Sequence, residues 1–333
     1  MNEIPLDDEN ELALEAVDLQ VSLSAQAPLD CGGQRLDQVA AALFDEFSRR
    51  QLQQWIKQGQ LQLDGGKGKA SQRLVGGETL TIEAELEKHD ESLPEDIPLD
   101  ILYEDEHLIV VNKPAGMVVH PGAGNWGGTL VNGLLYFDKR LEIMPRAGII
   151  HRLDKDTSGA LIVGRTPEVR QQLVDMMQER LIQRRYMALV WGRPPQEFSV
   201  DVPIGRHPRE RTRMAVVHSG KPACTHLFRQ QRWGHAAQLI AQLETGRTHQ
   251  IRVHCLHEGY PLLGDPVYGK KRQPNNTLDP RLQLALSHFQ RQALHAFQLN
   301  FAHPVTGDEV ALECPPPQDL LDLIAAFDEF DTI

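Results

Sequence analysis

Asp154 is the residue around which chemistry can be built. It lies in His-Arg-Leu-Asp-Lys-Asp-Thr-Ser-Gly, residues 151–159, between two apolar segments, Ala147 to Ile150 and Ala160 to Val163, that read as strands. A carboxylate caught in a polar loop between strands is held at a sheet edge near the interior, where it can act as nucleophile or general base. Staying ionised there requires a cationic neighbour. Asp156 is the nearest rival, two residues on and able to point to the same side. Tyr186 opens an apolar run to Trp191 and reads either as a stacking surface or as a core aromatic. Arg152 reads as a phosphate contact or as a planar group able to stack. Arg206, His207, Arg209, Arg211 and Arg213 form the densest basic run, suited to gripping a nucleic-acid backbone. His249, His254, Cys255 and His257 match no common zinc spacing, and a strand there splits them between two faces, so no metal is expected.

The elements that must position these groups follow from the pattern. Leu36, Val39, Ala40 and Leu43 share a helix face, and a second helix follows Ser48 with Arg49 and Arg50 at its start, placed to meet phosphate. Gln60 to Leu63 leads into an Asp64-Gly65 hairpin turn, with Leu80 and Ile82 closing the unit. Residues 84–98 are charged, carry Pro94 and Pro98, and read as a linker. Strands at Ile101 to Tyr103 and Leu108 to Val111 open a larger domain. In it Thr129 to Leu135 and the segment after Thr166-Pro167 are helical, and most of the remainder to Pro315 alternates as strands. The expected fold class is α+β with a mixed, largely antiparallel sheet. The expected domains are a disordered acidic tail (1–30), a small domain (31–83), the linker (84–98) and a catalytic domain (99–333).

The net charge of -12 at first excludes a polyanionic partner, but it is unevenly spread. Residues 1–30 and 308–333 each carry eight acidic side chains and no Lys or Arg, which leaves 34 basic against 30 acidic residues between them. The four cysteines show no CxxC pair, which argues against a disulfide framework or a zinc ribbon and for reduced thiols. No apolar run reaches membrane-spanning length and the acidic start is unlike a secretory signal, so a cytoplasmic location is expected.

Residues 151–159 resemble the HRLDxxTSG signature of RluA-type pseudouridine synthases, in which the first aspartate is essential. Asn112-Lys113-Pro114, Arg184-Arg185-Tyr186, Gly246 to His254 (Gly-Arg-Thr-His-Gln-Ile-Arg-Val-His, read as a strand) and Gly264 to Gly269 are similar to further blocks of that family. Gly33 to Ile82 resembles a small αL-motif RNA-binding domain of the ribosomal protein S-four type. The resemblance implies isomerisation of uridine to pseudouridine in large-subunit ribosomal RNA, free or in a pre-ribosomal particle, by a monomer without a cofactor. It implies Asp154 as nucleophile or general base, Arg247 in a salt bridge to it, and Tyr186 stacked on the uracil. Arg152 then fills the gap left by an extruded nucleotide. The family pattern varies at Asp156, which is left to loop hydrogen bonding; His151 and Thr157 are loop-positioning groups. Alternation along a strand puts Arg252 with Gln250, as an RNA or loop contact.

Three other readings remain. A non-catalytic ribosome-assembly factor has no need of Asp154, Tyr186 and Arg247 together. A synthase acting on tRNA differs only in target. A glycoside hydrolase wants two flanking carboxylates and sugar-stacking aromatics, whereas aromatics are 6% of this chain.

Overall fold

The computed structural model describes residues 20–44, 47, 49–85, 92–121, 127–210, 213–269 and 278–332. The chain divides into two compact units between residues 88 and 89.

In the first unit, helices α1 (Leu36–Leu43) and α2 (Arg49–Gln58) accompany a sheet of β1 (Gln20–Gln26), β2 (Leu61–Leu63), β3 (Gly66–Lys67) and β4 (Thr79–Glu85), in the order β1-β4-β2-β3. Leu36, Val39, Ala40, Leu52, Trp55 and Ile56 supply the helical side of its core. The strand β1 corrects the expectation of a tail to residue 30: it pairs antiparallel along β4, with Val21, Leu23 and Ala25 opposite Ala84, Ile82 and Leu80. Seven of the eight acidic residues of that stretch precede residue 19, so averaging charge over thirty residues concealed a half-buried alternation. Residues 1–19 and Ser48 lie outside the described residues.

The second unit is built on one sheet. Its strands are β5 (Asp100–Glu104), β6 (Leu108–Lys113), β7 (Ser158–Gly164), β8 (Gln183–Trp191), β9 (Glu197–Asp201), β12 (Cys224–Arg232), β13 (Ala236–Leu243), β14 (Leu294–Ala302) and β15 (Glu309–Glu313); β10 (Ile204–Arg206) and β11 (Met214–Val216) form a separate hairpin. The order is β5-β6-β7-β14-β8-β13-β12-β9 with β15 beside β14, and among the described pairs only β7 with β14 is parallel. Helices α3 (Leu130–Phe137), α4 (Pro167–Gln178), α5 (Gln250–His257), α6 (Pro280–His288) and α7 (Gln318–Phe330) cover it. Alternation sends Ile109, Val111, Leu161 and Val163 into a core with α3 and α5, and Leu108, Val110, Ala160 and Ile162 into a core against α4. Thr129 and Thr166 cap α3 and α4 through their side chains, where the sequence places those helix starts.

Three further expectations give way. The second half of the presumed linker is tied down: Glu95 N donates to Asn132 O, and Asn132 Nδ2 to Leu93 O. Ala147 to Ile150 is no strand, because Arg146, Ala147 and Gly148 all have positive φ, leaving one bridge from Ile149 to Val163. Gly246 to His254 is a turn followed by α5. That helix is buried on every side from Gln250 to Cys255, so it shows neither the stripe of a surface helix nor the alternation of a strand.

Gly159 closes the signature for a steric reason. Its φ is +116°, and a Cβ there would stand 2.3 Å from Ala296 O, where β7 meets β14. Gly159→Ala is expected to destabilise the protein by more than about 2 kcal/mol, read as a lowered urea midpoint.

Candidate active site

The loop of residues 151–159 is held from several elements. His151 Nε2 accepts from Ile162 N at 3.1 Å, and Gln292 Nε2 donates to Thr157 Oγ1 at 3.1 Å. Lys113, fully buried at the end of β6, donates from Nζ to the carbonyls of Pro114, Met117 and Lys155 at 2.8–3.0 Å. Arg291 Nη1 reaches Asp156 O at 3.2 Å, and Thr157 N donates to Asp154 O at 3.0 Å. Lys113, Arg291 and Gln292 are thus positioning groups that sequence reasoning missed. The Asn-Lys-Pro block was the available signal for the first.

This cradle presents Asp154 to an open cleft of about 530 Å³, its side chain 16% exposed. Arg252, in the first turn of α5, donates from Nη1 to Asp154 Oδ2 at 2.9 Å. The same guanidinium grips buried Asp265 bidentately, Nε to Oδ2 at 2.7 Å and Nη2 to Oδ1 at 2.9 Å, and lies over the Tyr268 ring. Burial alone would lower the Arg252 pKa; Asp265 and Asp154 hold it above its ordinary value. Burial likewise pushes Asp265 up, but Arg252 and the amides of Tyr268 and Val267 bring it below the usual carboxylate range. The cation is therefore fixed, and one of its N–H groups is aimed at Asp154.

The expected salt bridge from Arg247 is corrected here. Arg247 is exposed, its Nε donates to Pro222 O at 3.0 Å, and Arg252 occupies the place beside Asp154. The cause is local: His249 adopts φ 57° and starts a helix, which turns Arg252 inward and leaves Arg247 at the rim. His249 Nε2 stands 3.9 Å from Asp154 Oδ1 while its Nδ1 meets Tyr268 Oη at 2.8 Å. Burial lowers the His249 pKa, with Asp154 opposing, so its ring is neutral at physiological pH.

Tyr186 faces the cleft from β8, buried, beside Arg184 on the same strand face. Burial raises its phenol, Asp154 adds to this and Arg184 opposes, so it stays protonated. Arg184 is also buried, with Nε lacking a partner among the described residues. Exposed Arg152 lines the mouth with Arg146 and Arg247.

The remaining expected RNA contacts are divided between the two units. Arg49 pairs with fully buried Asp37 at 2.7 Å; burial would raise that carboxyl, but hydrogen bonds from Arg35, Arg49 and Gln53 hold it far below its usual range. Arg50 begins α2. Arg206 and Arg209 are exposed on the hairpin β10-β11, which is anchored near the cleft by Tyr268: its hydroxyl accepts from Met214 N at 2.9 Å, and Arg213 lies over its ring. Arg211 lies outside the described residues. In the second unit, then, Asp154, Arg252 and Tyr186 share one cleft rimmed by arginines, a place where an anionic substrate can meet a fixed carboxylate.

Residues 107–257 match the RNA pseudouridylate synthase family, and residues 34–80 match the S4 domain. The ribosomal large subunit pseudouridine synthase D of Xanthomonas campestris pv. campestris is 47% identical over 305 residues, covering 92% of this chain and 92% of that one. The protein of the same name from Pseudomonas aeruginosa is 47% identical over 305 residues, covering 92% and 95%. Among solved structures, human RNA pseudouridylate synthase domain containing 1 is similar at a TM-score of 0.54 and 26% identity, over 71% of this chain and 89% of that one.

Proposed function

The chain belongs to the RNA pseudouridylate synthase family, and from that membership we propose that it isomerises uridines of large-subunit ribosomal RNA, with Asp154 as the catalytic carboxylate. The observation that carries this reading is the contact of Asp154 with Arg252, whose charge is locked by Asp265. Relatives at 47% identity over nearly the whole length support the target, since their names state the large ribosomal subunit.

The reaction breaks the bond between uracil N1 and the ribose, turns the base, and joins C5 to the same carbon, with the C5 proton lost to a base and N1 taking up a proton in its place. Asp154 acts on the sugar or the base as nucleophile or general base; the cleft suits either role. Tyr186, protonated and buried, offers an aromatic face that retains the detached uracil. Arg184 meets a carbonyl or phosphate oxygen of the substrate. Arg152 takes the space left by the extruded nucleotide, at the cost of a few kcal/mol for unstacking, about what one planar cation and its phosphate contacts can offset. Arg247 and the hairpin arginines grip the backbone.

No described helix is long and apolar enough to cross a membrane. We place the enzyme in the cytoplasm, as a monomer acting on ribosomal RNA or its assembling particle. Arg247→Ala is expected to weaken RNA binding several-fold and flatten its salt dependence, while the single-turnover rate at saturating RNA stays within about threefold of wild type. Mapping pseudouridine in the RNA of cells with and without the gene tests the target. Sites missing from large-subunit RNA are expected; loss confined to tRNA would overturn it.

A further inference from the structure

A second group of ligating side chains gathers where β12 begins and β13 ends. Cys224 and His226, two apart on β12, project from one face, and Glu244 follows the last residue of β13 across the pairing of Thr225 with Leu243. Cys224 Sγ is 3.8 Å from His226 Nε2, which is 2.7 Å from Glu244 Oε1. All three ligand atoms lie within 4.8 Å of one another, and each residue is half-buried. Ser199 Oγ, on the neighbouring strand β9, meets His226 Nδ1 at 2.8 Å. That bond orients the ring and leaves Nε2 facing the sulfur and the carboxylate, the outer contact that metal-binding histidines use. The other Glu244 oxygen pairs with Arg180 at 2.5 Å.

We propose that Cys224, His226 and Glu244 bind one divalent ion of the zinc class, with solvent in the fourth position. Sulfur, imidazole and carboxylate together select zinc over magnesium or calcium, which take oxygen ligands. Bonds of about 2.3 Å to sulfur and about 2.0 Å to nitrogen and oxygen put tetrahedral donors roughly 3.3–3.6 Å apart. The sulfur and nitrogen are already near that spacing. Glu244 must withdraw from His226 by about half an ångström, which exchanges their hydrogen bond for two metal bonds. On binding, the thiol proton leaves to solvent and the imidazole proton moves from Nε2, where it faces Glu244, to Nδ1, which then donates to Ser199 Oγ. Glu244 also lines the cleft, so the ion sits at the rim of the active site, next to the turn that carries Arg247.

Cobalt titration of the chelator-treated full chain tests this. The expected result is one equivalent of saturable Co²⁺ with tetrahedral visible bands and a thiolate charge-transfer absorption, both displaced by Zn²⁺. Cys224→Ser is expected to lose the charge-transfer band, since Cys31, Cys255 and Cys314 are buried. His226→Ala and Glu244→Gln are each expected to weaken binding at least tenfold, with thermal melts showing that the variants fold. Absence of saturable cobalt binding, a charge-transfer band that survives in Cys224→Ser, or unchanged affinity in Glu244→Gln would overturn the site. Ion binding is read without RNA, so its failure leaves the reading of Asp154 untouched.

Discussion

Arg252→Lys is expected to lower the single-turnover rate by about 100-fold or more while leaving RNA affinity near that of wild type. A lysine keeps the charge but offers one point of contact, and Arg252 holds two carboxylates at once, Asp265 through Nε and Nη2 and Asp154 through Nη1. An ammonium satisfies buried Asp265 first and leaves Asp154 without its donor. Arg252→Met goes further: it strands Asp265 in the interior without a partner and should cost about 3–5 kcal/mol of stability. Arg252→Lys is therefore the informative variant, and Arg247→Ala its control. A wild-type rate in Arg252→Lys would remove Arg252 from the mechanism. The pair also sets a pH limit. Asp265 is held below its usual range in the folded state, so its stabilising contribution is complete above about pH 4 and is lost as pH falls through the folded value.

Asp154→Asn is expected to reduce pseudouridine formation by about 10³-fold or more at saturating RNA. The amide has nearly the same shape but neither attacks carbon nor takes a proton. Folding should be spared, because Arg252 retains its bidentate partner Asp265 and Asp154 itself reaches solvent. Binding should be spared as well, since the arginines around the cleft supply the attraction to phosphate. Asp154→Glu, which keeps the charge but displaces it by one methylene, should lose about 100-fold, a measure of how far the cradle built by Lys113 and Gln292 fixes the reacting atom.

What could be read from the sequence was whatever lies in contiguous segments. The loop of residues 151–159, the helix starts at Thr129 and Thr166, the hairpin at Asp64-Gly65 and the strand at Leu108 to Val111 depend on neighbours within a few positions, and they appear where expected. Arg252 was read as an RNA or loop contact, and the loop contact is what it makes; that its partner there is Asp154, and that Asp265 holds it, depends on contacts 98 and 13 positions away and on a left-handed turn at His249, a conformation that non-glycine residues adopt uncommonly. Arg247 lost its expected partner through the same turn. Lys113 was named within its Asn-Lys-Pro block, but its buried positioning role was not read, because a lysine at a strand end normally reads as surface charge. The strand β1 was hidden by acidic residues that precede it. For Arg252, Arg247 and Lys113 the missing information was tertiary; for β1 it was a local alternation masked by averaging over neighbouring charge.

The most direct measurement is release of tritium from C5 of uridine in a large-subunit RNA substrate, under single-turnover conditions, by Asp154→Asn with its RNA binding measured in the same samples. The C5 proton must leave whenever the new carbon–carbon bond forms, so the assay reads the chemistry itself. The account predicts wild-type binding with release no faster than about a thousandth of the wild-type rate. Release at the wild-type rate from fully bound RNA would contradict it.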